Sequence, residues 1–168
     1  MHLLIIAILA LLVALAPPYA GIAIGMAVTH STGWKNAVLD RQFNGSAGTN
    51  FNSGKLQVWT GAAPGASNAP TGTKVWEKTL SADAFAAAAS GAINFSDLPL
   101  TANAIAAGTM GYWRLIKSGD LETTNTTDER LEGTVTATGG GGDMTVQNTS
   151  IANGQELSIT SATLTHGG

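Results

Sequence analysis

Cysteine is absent from this chain of 168 residues, which excludes disulfides, thiolate metal sites and thiol nucleophiles together. Charge is nearly as scarce: charged residues make up 11% of the chain and the formal net charge is -3. The eight Lys and Arg are scattered, so no basic field collects phosphates and nucleic acid is discounted as a partner. Histidine occurs only at His2, His30 and His166, none with a carboxylate at metal-ligand spacing, and these read as surface or packing residues. A Gly-x-Ser-x-Gly elbow is also missing. No catalytic, cofactor-binding or metal-binding residue is expected, no cofactor is implied, and the chain reads as a non-enzyme.

What is present is small and β-favouring. Twenty-one glycines, with many Ala, Thr, Ser and Asn, suit short strands joined by turns. The organising stretch is Gly111-Tyr112-Trp113-Arg114-Leu115-Ile116-Lys117. Its period of two puts Trp113 and Leu115 on one face, expected to be the core, and Tyr112, Arg114 and Ile116 on the other. Around it, 55–60, 74–80, 92–95, 130–138 and 143–147 read as further strands. The run 156–165 reads as a last one, with Leu157, Ile159 and Leu164 inward across a register change. The four glycines 139–142 are expected to make a hairpin turn. Residues 81–90 are a helical turn or a small-residue strand anchored by Phe85, and 100–108 a loop with some helix.

Residues 26–54 hold a helix and a connector. Ser31 or Thr32 can cap a helix running to about Phe43. Its apolar side is Trp34, Val38, Leu39 and Phe43, leaning on the sheet, with Lys35, Asp40 and Arg41 toward solvent. Asn44 to Asn50 is a Gly/Ser/Asn connector. Residues 1–25 are different in kind. From Met1 to Trp34 there is no Lys, Arg, Asp or Glu, and Leu3 to Ala16 is unbroken Leu, Ile, Val and Ala. Four readings compete: a signal peptide with a poorly specified cleavage site, a membrane helix kinked at Pro17-Pro18, an arm docking on a neighbouring subunit, and translation starting at Met26.

The expected architecture is therefore mainly β: a small antiparallel β-sandwich or jelly-roll-like domain over 55–168, preceded by the short helix and the hydrophobic N-terminal segment. Several clusters in it invite chemistry. Glu122, Asp128, Glu129 and Glu132 gather around a polar loop, read as solvated and not as a divalent-ion site. Trp59, Trp76 and Trp113 are read as core residues, with a sugar-stacking platform as the alternative. Four Asn-x-Ser/Thr triplets occur, as expected by chance in so Asn-, Ser- and Thr-rich a chain.

Several segments, in one order, resemble a group of small tailed-bacteriophage virion structural proteins. They are Met26-Ala27-Val28-Thr29 before the helix, Gly54-Lys55-Leu56-Gln57-Val58-Trp59-Thr60-Gly61-Ala62-Ala63-Pro64, and Leu80-Ser81-Ala82-Asp83-Ala84-Phe85. Gly108-Thr109-Met110-Gly111-Tyr112-Trp113-Arg114-Leu115 follows, then Gly133-Thr134-Val135, the stretch Asn148 to Gly154, and Thr163-Leu164-Thr165-His166. The resemblance spans about Met26 to His166. It implies a virion component that decorates or cements a capsid, or attaches to the tail, with the major capsid protein or tail proteins and copies of itself as partners. Residues 1–25 depart from that pattern and allow membrane contact. The alternative is a secreted or membrane-anchored β-sandwich binding module for carbohydrate.

Overall fold

The structure, a computed structural model, describes residues 29–45 and 51–166. The expectations for residues 1–25, and for most of the connector after Asn44, lie outside the described residues. Helix α1 (Thr32–Asn44) begins where the sequence places it: Ser31 is the N-cap, and its hydroxyl accepts from the Trp34 N–H at 3.2 Å. That satisfies one of the free first-turn amides. Leu39 and Phe43, one turn apart, are buried. The far side is less simple than a solvated face. Arg41 is exposed, but Asp40 is half-buried and its carboxylate accepts from the Ala88 N–H at 2.7 Å. Asn36 accepts from the Gly91 N–H and Asn44 donates to the Ala86 carbonyl. Spaced four apart, these three side chains share one helix face, and they tie α1 to the backbone of residues 86–91. Asp40 was expected toward solvent; it is instead a tether.

Ten strands follow: β1 (Lys55–Thr60), β2 (Lys74–Thr79), β3 (Ala92–Asn94), β4 (Leu100–Asn103), β5 (Gly108–Ile116), β6 (Arg130–Ala137), β7 (Met144–Val146), β8 (Ser150–Ile151), β9 (Glu156–Ile159) and β10 (Thr163–Thr165). The main sheet runs β2-β1-β5-β6-β7, with β8 on the start of β5. The expected organising strand is its centre. Antiparallel register sets Val58 opposite Trp113 and Leu56 opposite Leu115, with Leu115 opposite Leu131 on the far side. These side chains share one face. Over that face close the ladders β4–β9 and β3–β10 with α1 and Phe85, giving one core that includes Leu56, Val58, Trp76, Phe85, Ile93, Phe95, Leu100 and Leu115. The fold is mainly β and sandwich-like, as expected.

Four local expectations are corrected. Residues 100–103 form a strand and not a loop with helix. Leu100, almost fully buried, sits opposite Ile159, and the β9 backbone supplies the ladder that Ala102-Asn103 would not ask for by propensity. Residues 81–90 hold no helical turn; Phe85 bridges to Phe95, and Ala89 to Ala92. The glycines 139–142 do not make a hairpin, because β6 and β7 pair in parallel, with Val135 opposite Met144 and Ala137 opposite Val146. A parallel partner ordinarily needs a long crossover. Here the loop doubles back within six residues, with Gly139 and Gly141 at positive φ. Asp143 holds it by accepting from the Thr134 N–H and hydroxyl, both at 2.8 Å. Those bonds hold the Asp143 carboxyl below its ordinary pKa. The run 156–165 is two strands, split at Thr160–Ala162 where the chain passes from β4 to β3.

Candidate functional site

Candidate chemistry falls in three places: the second face of the main sheet, a cleft beside α1, and an aromatic cluster at the cleft's end. On the second face, Gln57, Trp59, Tyr112 and Arg114 are all buried, so the central strand is covered on both sides. The cover is two loops, 61–73 and 117–129. Arg114 is the pin. Its Nη2 donates to the carbonyls of Ala66 at 2.8 Å and Asn68 at 2.7 Å, and its Nε lies 3.1 Å from Glu132 Oε2 as an ion pair outside hydrogen-bond angles. Glu132 in turn accepts from the Gly65 N–H at 2.8 Å. The Tyr112 hydroxyl donates to the Thr71 carbonyl and accepts from the Thr71 N–H. Burial raises the Tyr112 pKa against these bonds. The second loop is pinned by Arg130, which donates to both carboxylate oxygens of Asp120, at 2.6 and 2.8 Å, and to the Thr123 carbonyl.

The acidic cluster is spent in this network. Glu122 accepts from Lys74 at 3.0 Å and from Gln57 at 2.8 Å; Asp128 pairs with Lys117 at 2.7 Å; Glu132 pairs with Arg114. Among the described residues no three His, Asp or Glu side chains stand where they would hold a metal ion. Lys74 lies over the Trp59 ring, 5.3 Å from its centroid, and bonds Glu77 at 2.6 Å. Burial pulls the Lys74 ammonium down, but its bonds to Glu77 and Glu122 outweigh burial and leave the pKa above the usual lysine value. For Glu77, burial pushes up and is outweighed by bonds from Lys74, Gln57 and Lys55, leaving the carboxyl below its usual range.

The tryptophans do not form a platform. Trp76 is fully buried in the core and donates to the Ala102 carbonyl; Trp59 is buried on the opposite face, stacked on Tyr112. Trp113 lies over Gly133, whose hydrogen leaves the room: a Cβ there would come within 2.6 Å of the indole nitrogen. That nitrogen is buried without a hydrogen-bond partner.

Trp113 also lines a cleft of about 530 Å³ between α1, β6 and β10. Its apolar wall includes Val38, Leu39, Phe43, Leu131 and Leu164. At one end stands His166. Its ring meets Trp34 edge-on at 5.3 Å and His30 edge-on at 5.9 Å, while His30 stacks on Trp34 at 3.8 Å. The sequence marks these histidines as surface or packing residues but carries no sign of the cluster, because nothing local joins residue 30 to residue 166. Among the described residues no helix is long and apolar enough to cross a membrane. Comparison with family models, curated proteins and solved structures finds no match.

Proposed function

We propose that the chain is a non-enzymatic structural subunit of a bacteriophage virion. It decorates or cements the capsid, or attaches to the tail, through contacts with other virion subunits and with its own copies. The observation that carries this reading is how the ionisable groups are used. Lys74, Arg114, Lys117 and Arg130 are each matched to a carboxylate, and the matched pairs clamp two loops onto a sheet. Titratable groups that do chemistry in a cleft are set there with perturbed pKa values; the three charged groups that line the cleft here, Glu129, Arg130 and Glu132, are each taken up by an ion pair with Lys117, Asp120 and Arg114. The ordered resemblance to small phage structural proteins adds the setting. A modest contact repeated by symmetry stabilises a large shell without any reactive group. Purified particles analysed by mass spectrometry and cryo-electron microscopy test the reading: the protein is expected in stoichiometric copies on the particle surface, and its absence from particles refutes it.

A second reading, a secreted or membrane-anchored carbohydrate-binding module, is favoured by one feature: Trp34 is 45% exposed beside an imidazole. Glycan-array binding that disappears in Trp34→Ala supports it, and an array without signal removes it.

A further inference from the structure

The cleft beside α1 and the run Leu3–Ala16 pose the same physical problem from two sides. The cleft is walled by Val38, Leu39, Phe43, Trp113, Leu131 and Leu164, and a concavity of this size and polarity is suited to an apolar occupant. The run is fourteen residues of Leu, Ile, Val and Ala without a charge, and exposed apolar surface on that scale needs a cover. We propose that the cleft is the seat for Leu3–Ala16 of a neighbouring copy, so that copies join head to tail. This rests on the structural-subunit reading and names the contact it would use.

Three observations carry it. The first is charge. The cleft's polar lining is Gln42, Glu129, Arg130, Glu132, Thr165 and His166, and its three charged groups already have partners: Glu129 in Lys117, Arg130 in Asp120, and Glu132 in Arg114. An occupant with a charge of its own would bury it uncompensated; this run has none. The second is position. His30 stacks on Trp34 and meets His166 edge-on, and His166 is a residue of the cleft lining, so the described residues begin beside the cleft. The third is reach. Thirteen residue steps separate Ala16 from Thr29, at most about 45 Å of extended chain. A domain of this size has a radius of gyration of about 15 Å, so the run can reach the next copy. A contact between two different patches repeats into a ring or an open array, as a decorating layer requires.

The absence of cysteine makes the test clean. Full-length Leu131→Cys is mixed with full-length Leu9→Cys under mild oxidation, alongside a control in which the exposed Thr126→Cys replaces Leu131→Cys. Light scattering after size exclusion follows assembly in parallel. Leu164→Cys serves as a second cleft probe if Leu131→Cys fails to give native circular dichroism. The expected result is a disulfide-linked heterodimer from the cleft probe, roughly tenfold above the control, because a seated run has a high effective concentration at the cleft. Oligomers without cleft-specific cross-linking overturn the proposed seat while leaving the assembly reading standing. A monomer without cross-links overturns the seat, and the structural-subunit reading is then decided by whether particles contain the protein. If Leu9→Cys/Leu131→Cys in one chain closes on itself as a monomer, the seat belongs to the same copy and the head-to-tail contact is refuted.

Discussion

Replacing Arg114 with leucine is the most exacting probe of the polar face. The side chain is 1% exposed, and its partner Glu132 is 5% exposed. In Arg114→Leu, Glu132 keeps a charge with only the Gly65 N–H to compensate it, and the carbonyls of Ala66 and Asn68 lose their donor. Breaking a buried pair from one side costs about 3–5 kcal/mol. For a domain of this size that corresponds to a fall in Tm of roughly 6–20 °C, at 2–4 °C per kcal/mol. The double variant Arg114→Leu/Glu132→Leu removes both charges and should recover part of the loss, leaving a coupling energy of about 0.5–3 kcal/mol in the double-mutant cycle. Recovery stays incomplete because the loop 61–73 still lacks its pin. Urea unfolding followed by circular dichroism measures all four proteins. A single variant that loses less than about 1 kcal/mol, the range of exposed pairs, would mean that water reaches Arg114, and the argument from burial would fall.

The remaining expectations follow the same logic. Glu77 has a depressed pKa, so its contribution is present above the ordinary carboxylate value of 4.5 and is lost as pH falls through the folded value. Lys74 has a raised pKa, so its contribution holds below 10.5 and is lost as pH rises through its folded value. Urea midpoints should therefore fall below about pH 4.5 and above about pH 10.5, the acid limb shallower in Glu77→Gln; a midpoint that rises on acidification contradicts the network. Asp40→Ala strands the Ala88 N–H and should cost about 1–3 kcal/mol, while the exposed Arg41→Ala stays within about 0.5 kcal/mol; equal losses would show that the helix tether is unimportant. Gly111→Ala places a Cβ on the Gly61 carbonyl oxygen, so a thermal melt should show a loss of about 1–3 kcal/mol from overpacking.

Much of the main sheet was legible from local pattern. β1, β2, β5 and β6 are alternating runs bounded by turns, and Ser31 marks the helix start by its own side chain. The parts that were not legible depend on partners far along the chain. Leu100–Asn103 is a strand because β9 lies beside it, not because Ala and Asn prefer one. Arg114 looks like a solvent-face residue on an alternating strand, and only the distant Ala66, Asn68 and Glu132 make it an interior one. The acidic cluster reads as a solvated loop and is instead paired, because Lys74 on β2 and Arg114 on β5 reach it from far along the chain, with Lys117 at the start of the loop itself. The meeting of His30 with His166 has no local signal at all.

The tight parallel return from β6 to β7 has a consequence for life at high concentration. Without β7, the end of β6 from Val135 to Ala137 would offer its backbone to any passing extended segment. Instead the last strand is three residues long and abuts a glycine-rich loop held by Asp143. So short and irregular a border gives an incoming segment almost nothing to zip onto. Molecules that meet at this border can therefore crowd without adding strand to strand there, and touch through side chains instead.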